Sequence, residues 1–563
     1  MDVLAELRRD DRLVIEGLRE GARRHGDRPL MVAEESGTTL SYGDFDEAVR
    51  RVAGGFLRLG LATGDRVAVF TRDPVTAATA MFAAWRAGLI YTPVNFNLTA
   101  GTLAYQLADA RVGVVVCERA LLAALAEVSD ALTTACVVID GDGPAEVPAR
   151  LPAGRRVLTW AELADGPASE PAVSRMPSDP ANIIYTSGTT GRPKGVVQPF
   201  RWMNQYTFFV RRMIGPGDVV YNDLPLYHVG GAIFNVARAV WAGATVAVWQ
   251  KFSSHDFWGR VRRTEATTAV LLDVMIPWLM NEPAAPADAD NSLTMVHMQP
   301  LPAYHHAFAE RFGVPFVTAG FGQTETGCSY FGVIDEAPGR DDPWHRKILD
   351  LLAGFGAPVM KGDAPIGKGF MGRPAPFMEV AVLDEMDEPV EGDGTGELAV
   401  RPRLPHLLLR EYFGRPDATA AATRNLWFHT GDLVRRTGDG HAYFVDRVGD
   451  RIRTRGENIS SAQLEDLLNG MPGVAVSAVV PVAGADSLEH DIAAFVVPVD
   501  DEQGGTLSEQ EVLDWAQENV PRFMRPRYVR VIPELPRTPT NKIEKYRLRA
   551  RIAEELGREH ASG

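Results

Sequence analysis

One stretch, Tyr185-Thr-Ser-Gly-Thr-Thr-Gly-Arg-Pro-Lys-Gly-Val196, constrains this chain more than any other. Ala181-Asn-Ile-Ile-Tyr185 before it is a short apolar run that reads as a buried strand. The stretch itself cannot be helix or sheet interior. Gly188, Gly191 and Gly195 are read as positions of positive φ where backbone approaches a ligand closely. Thr186, Ser187, Thr189 and Thr190 add hydroxyl donors, and Lys194 adds a mobile cation. Backbone amides, hydroxyls and a lysine together suit a polyanion, most simply a nucleoside triphosphate. The Walker loop spaces its glycines and lysine differently.

A chain of 563 residues is too long for one simple core, so two or more domains are expected. A net charge of −15 argues against general nucleic-acid binding, which wants a basic face, but leaves room for a local basic pocket. Cys117, Cys136 and Cys328 are too few and too scattered for a disulfide frame or a zinc site and read as free thiols. The first residues lack a signal-length apolar core, and no apolar run reaches bilayer length. A cytoplasmic protein without a membrane span is expected.

Along the chain, strands alternate with helices. Residues 1–30 are helical in pattern, and Ser41 caps a helix carrying Phe45, Val49, Val52 and Phe56. Arg66–Phe70 and Val112–Cys117 read as strands, Ala77–Ala87 as a helix. This rhythm means a mostly parallel sheet covered on both faces. Residues 141–180 read as a loop. Val219–Gly231 reads as a strand interrupted by a turn, and 335–369 as an inserted loop with one helical turn, a lid or an oligomer contact. From Met378 onward the short strands Glu379–Leu383, Glu397–Val400 and Ala442–Val445 suggest a β-rich subdomain. A boundary falls near Asp446–Asp450, and a compact α/β module follows.

Four more stretches carry functional-looking chemistry. Phe321-Gly-Gln-Thr-Glu-Thr-Gly327 sets an aromatic, a threonine and a carboxylate close together. Trp427-Phe-His-Thr-Gly-Asp432 offers a carboxylate at a turn, suited to paired ribose hydroxyls. Asp446-Arg447 through Arg453 and on to Ile459 forms a basic loop at the boundary. Pro536-Arg-Thr-Pro-Thr-Asn-Lys542 puts a lysine on a turn near the C-terminus. In this order, with the first stretch, the set resembles the adenylate-forming superfamily of acyl-CoA synthetases, nonribosomal-peptide adenylation domains and luciferases. The resemblance runs from about Leu40 to Leu548. Phe444-Val-Asp-Arg447, Arg455-Gly-Glu-Asn-Ile459, and Glu518-Asn519 with Pro526-Arg527 look most like the carnitine/crotonobetaine and fatty-acid CoA ligase branch.

The resemblance implies an α/β fold. A large N-terminal domain (1–447) would hold two α/β layers and a β-barrel, and a small mobile C-terminal domain (448–563) would carry the catalytic lysine. It implies ATP-dependent activation of a small-molecule acid to an adenylate with loss of pyrophosphate, then transfer to CoA. Thr186, Ser187, Gly188, Thr189, Thr190, Gly191 and Lys194 would hold the outer phosphates. Phe321 would stack on adenine where the family has tyrosine, with Gln299 and Gly322 beside the nucleotide. Thr324 would contact the α-phosphate, and Glu325, with Thr186, would ligate Mg²⁺. Asp432 and Arg447 would take the ribose side. Lys542 would meet the charge developing at the α-phosphate, and Arg453 would approach the site after the small domain turns about Gly449. His228 falls at the gate between the acid pocket and the nucleophile tunnel, with a satisfied loop histidine as the alternative. Val296-His-Met-Gln-Pro-Leu301 replaces the family's glycine-rich strand, so His297 or Met298 would narrow or polarise the acid pocket, against a long straight chain. An acceptor other than CoA stays open: an amine, a carrier thiol, or a diazotase-like use of nitrite with an aryl amine. Oligomeric state stays open too, a homo-oligomer included.

Overall fold

The computed structural model describes residues 2–98, 100–131, 136–141, 156–186, 192–448, 452–454, 457–483, 490–499, 507–537 and 543–561. The fold is α/β, with a large N-terminal domain and a small C-terminal domain. Among the described residues, two large sheets form the first. One has eight strands. Its parallel part runs Pro180–Thr186, Ile90–Pro93, Arg66–Phe70, Val114–Glu118, Cys136–Asp140 and Arg156–Thr159. Lys194–Pro199 and Glu411–Tyr412 add antiparallel strands at its edge.

The other sheet has fourteen strands. Its parallel part includes Thr245–Val248, Val219–Asn222, Thr268–Leu272, Met295–Gln299 and Phe316–Gln323. Gly327–Asp335 then turns antiparallel, and the strands expected after Met378 continue edge-on from it.

Helix Pro74–Arg86 is buried on nearly every side, which its small and apolar residues permit. It also fixes the first stretch. Trp85 Nε1 donates to Asn182 Oδ1 at 3.0 Å and to the Ala181 carbonyl at 3.1 Å, on the strand leading into it. Arg86 offsets the cost of its burial with ion pairs to Asp46 and Glu170. Helix Tyr42–Arg58 opens as expected: Ser41 accepts the Asp44 amide, and Phe45, Val49, Val52 and Phe56 are buried.

Three expectations need correction. Residues 156–164 are not loop. Arg156–Thr159 is an edge strand, and Thr159 and Glu162 form a capping box that starts helix Trp160–Ala164. The segment 335–369 is not a loop with one helical turn. It holds the 13-residue helix Pro343–Phe355, capped by Asp342, and strand Val359–Lys361. His345, Ile348, Leu352 and Phe355 of that helix are buried, a core-facing stripe rather than a lid. Gly230 and Gly231 belong to no turn: they open the π-helix Gly230–Ala237. A Cβ on Gly231 would lie 2.5 Å from the Leu224 carbonyl oxygen, so this glycine serves close packing.

The small domain has a three-stranded sheet of Val474–Ala483, His490–Pro498 and Tyr528–Val531. Helices Ser461–Asn469, Glu509–Asn519 and Lys545–Ala561 accompany it. Asp446, at the end of the large domain, accepts from Ser461 N and Ser461 Oγ, both at 2.7 Å. Lys368 pairs with Asp466 across the two domains. Among the described residues, no helix is long and apolar enough to cross a membrane.

Candidate active site

Thr186 and Lys194 are register partners at the loop end of the hairpin made by Pro180–Thr186 and Lys194–Pro199. Ser187, Gly188, Thr189, Thr190 and Gly191 lie between them, outside the described residues. Gly195 departs from its expected role. Its φ is not positive, and it sits within the strand. A Cβ there would lie 2.8 Å from the Ile183 side chain and 3.1 Å from the Tyr185 ring, so packing requires the glycine.

Lys194 Nζ lies 4.0 Å from the centroid of the Tyr412 ring. The Tyr412 hydroxyl in turn donates to Glu325 Oε1 at 3.1 Å. Burial, and then the charge of Glu325, hold that hydroxyl far above its usual pKa, so it stays a donor. Tyr412 stands on the two-residue strand Glu411–Tyr412 and belongs to none of the stretches singled out from sequence.

The loop carrying Thr324 and Glu325 is fixed from below. Gln198 Nε2 donates to the Thr324 carbonyl at 2.7 Å, and Trp202 Nε1 to the Glu325 carbonyl at 3.3 Å. Gln205 donates to the Thr326 carbonyl at 3.0 Å and accepts from the Cys328 amide at 3.1 Å. Gly327 has φ +63°, and a Cβ there would lie 1.7 Å from Gln205 Nε2, so only glycine fits this turn. Strand Lys194–Pro199 and helix Phe200–Tyr206 thus hold the carboxylate loop beside the hairpin.

The same loop reaches the other side of the site. Gln323 Nε2 donates to Asp432 Oδ2, and to the Thr430 carbonyl at 2.9 Å. Asp432 and Arg447 are register partners on neighbouring strands, with Arg447 Nε 2.9 Å from Asp432 Oδ1. Residues 323–325 therefore bridge the lysine–tyrosine–glutamate cluster and the aspartate–arginine pair.

A cavity of about 330 Å³, counting its open mouth, lies along strand Phe316–Gln323. Phe321, Gly322, His297 and Gln299 line it with Tyr206 and Phe234, among others. His297 Nδ1 lies 3.0 Å from Thr318 Oγ1, and Nε2 lies 3.3 Å from Gln299 Oε1. Burial pushes its pKa down to about 4, with a smaller contribution from the charge of Arg238, so the ring is neutral at pH 7. Met298 is fully buried and does not line the cavity. His228 does not line it either. It sits on the turn before helix Gly230–Ala237, its ring 4.5 Å from that of Tyr227. The 335–369 segment backs the cavity: Phe355 packs on Phe209, which stacks on Phe331 at 4.7 Å, and both of those line it.

Lys542 and Gly449 lie outside the described residues. Arg453 lies on strand Ile452–Thr454, paired with Asn458. Arg537 and Ile543 form a β-bridge that brackets 538–542, and Glu544 N donates to the Pro536 carbonyl at 2.8 Å. Arg537 is partly buried and feels the charge of Asp273 of the large domain.

Comparison with known proteins agrees with this architecture. The model of the AMP-binding enzyme family matches residues 18–413, and that of the AMP-binding enzyme C-terminal domain matches 463–542. The chain belongs to the AMP-binding enzyme family. Among curated relatives, a crotonobetaine/carnitine–CoA ligase of Salmonella paratyphi A is 29% identical over 542 residues, 93% of this chain and 96% of the relative. A ligase of the same name from Citrobacter koseri shows the same identity and coverage. Among solved structures, the anthranilate CoA ligase AuaEII in complex with anthranoyl-AMP superposes with TM-score 0.79 at 19% identity, covering 97% of this chain and 98% of that one. The O-succinylbenzoate coenzyme A synthetase MenE of Bacillus subtilis, with ATP and magnesium, gives TM-score 0.74 at 23% identity, covering 94% and 98%.

A first prediction concerns Tyr412. Tyr412→Phe keeps the ring over Lys194 and removes one hydrogen bond to Glu325. The Mg²⁺ concentration giving half-maximal pyrophosphate release should rise about fivefold, the worth of one such bond. An unchanged Mg²⁺ titration would show that the tyrosine does not orient Glu325.

Proposed function

We propose that this enzyme activates a compact carboxylic acid with ATP and passes the acyl group to CoA. The observation that carries the reading is the bridge made by residues 323–325. It joins a cation and a carboxylate at the loop end of the hairpin to a buried carboxylate paired with a half-exposed guanidinium, the two ends that a nucleoside triphosphate needs. The ligase names of the relatives support the acid and the CoA.

In this reading the acid's carboxylate oxygen attacks the α-phosphorus of ATP. The bond from that phosphorus to the bridging oxygen breaks, and pyrophosphate leaves with the electron pair. Thr186, Ser187, Gly188, Thr189, Thr190, Gly191 and Lys194 neutralise the leaving group. Thr324 and Lys542 hold the α-phosphate, and Lys542 also steadies the attacking carboxylate. Asp432 and Arg447 orient the ribose, while Phe321, Gly322 and Gln299 border the base and the acid. Glu325 is half-buried and forms no ion pair among the described residues, so its carboxylate suits a hard cation; Thr186 stands at the hairpin end. Mg²⁺ held there would neutralise phosphate charge. In the second step the CoA sulfur attacks the acyl carbonyl and AMP departs. We place the turn between steps at Gly449, dividing 1–447 from 448–563, with Arg453 moving toward the site and His228 at the thiol's entrance. The aromatic lining of the cavity favours a short or aromatic acid over a long chain. The cytoplasm, where ATP and CoA are both present, is the setting this reaction needs.

The test is product analysis with ATP, Mg²⁺ and a panel of acids, with and without CoA. AMP, pyrophosphate and an acyl thioester are expected together. ADP as product, or AMP formed only with nitrite and an aryl amine, would overturn the reading.

A further inference from the structure

Arg238 begins helix Arg238–Ala242, directly after the π-helix that carries Phe234 into the cavity wall. It is 1% exposed. Its guanidinium lies over the Phe234 ring, 4.9 Å from the centroid. Its side chain makes one hydrogen bond among the described residues, a long one of 3.4 Å to Asn235 Oδ1, and its Nε has no partner. No carboxylate of the described residues stands within ion-pair distance of it. Other buried arginines of this chain are treated differently: Arg86 pairs with Asp46 and Glu170, and Arg211 with Asp10. A buried charge without a counter-ion is costly and calls for one.

The cation stands one ring behind the acid cavity. The Phe234 ring lies 4.8 Å from that of His297 and 5.5 Å from that of Tyr206, and all three line the cavity. The ionisable groups at the cavity wall are neutral at pH 7. Burial holds His297 neutral, with a pKa near 4, and raises the Tyr206 hydroxyl and the Cys328 thiol well above pH 7. Burial lowers Arg238 itself only to about 9, so it remains protonated; Asp218 acts on it from beyond ion-pair distance. A positive potential in a cavity of low polarity acts over the length of a small acid.

We propose that Arg238 sets the charge preference of the acid pocket: acids whose far end carries a second carboxylate or another oxygen acceptor are favoured, and acids with a fixed positive charge are rejected. This rests on the acid-activating function proposed above and names the class of acid it serves.

The test separates charge from size. Calorimetry on the whole chain, with Mg²⁺ and α,β-methylene-ATP present, measures binding of three acids. They are 4-(trimethylammonio)butanoate, its neutral isostere 5,5-dimethylhexanoate, and glutarate. Wild type should bind the neutral isostere about tenfold or more tighter than the cationic acid, a gap set by one charge at this range. Glutarate should bind at least as tightly as the isostere. Arg238→Gln should bring the cationic and neutral acids to within about twofold. Equal binding of that pair by wild type, no binding of any of the three, or a gap unchanged in Arg238→Gln would overturn the proposal. AMP release from any acid, measured separately, tells its failure from failure of the acid-activating function.

Discussion

Glu325→Ala should lower acid-dependent pyrophosphate release by roughly 10²- to 10³-fold, the loss seen when one preorganised electrostatic group leaves an active site. The expectation rests on position. The Glu325 side chain meets Tyr412, and through that ring stands beside Lys194 at the loop end of the hairpin. The loop itself is held through backbone carbonyls by Gln198 and Trp202, and those bonds survive loss of the side chain. The variant should therefore unfold at nearly the wild-type temperature while its Mg²⁺ dependence weakens. Normal Mg²⁺ dependence with full pyrophosphate release would remove Glu325 from the proposed site.

Lys542→Ala should have the more selective effect. Acid-dependent pyrophosphate release should fall by about 10²-fold or more, because the lysine is asked to neutralise charge that develops only in the first step. Transfer from a chemically prepared acyl-adenylate to CoA should keep most of its rate, and ATP binding should persist. The described flanks meet, Arg537 and Ile543 forming a β-bridge, and Arg537 feels the charge of Asp273 of the large domain. Equal losses in both half-reactions, or none in either, would contradict the assignment.

Local chemistry decided what could be read from sequence. Ser41 ahead of Phe45, Val49, Val52 and Phe56 announces a helix because cap and apolar spacing lie within one segment. The glycine–threonine stretch suggests an anion site because its donors are contiguous, and residues 187–191 of it lie outside the described residues. Tyr412 was hidden because its partner Glu325 lies 87 residues earlier. The link from Gln323 to Asp432 spans 109 residues and was hidden for the same reason, although both residues stand in recognisable motifs. Glycine misled twice. Gly195 and Gly231 invite a turn or positive-φ reading, yet both are small because neighbouring atoms leave no room for Cβ. Pro, Gly, Asp and Lys around Ile348–Leu352 suggested a loop, but the apolar stripe inside the segment forms a full helix behind the cavity. Arg238 could not be singled out, since only burial without a counter-ion distinguishes it from an ordinary helix arginine.

The most direct measurement follows one oxygen. An acid that the panel shows to be a substrate, prepared with ¹⁸O in both carboxylate oxygens, is turned over with ATP and CoA, and the nucleotide product is analysed by mass spectrometry. Attack of the carboxylate on the α-phosphorus leaves one ¹⁸O in the phosphate of AMP and none in pyrophosphate. Label in pyrophosphate or inorganic phosphate, or unlabelled AMP formed alongside the thioester, would contradict activation through an acyl-adenylate.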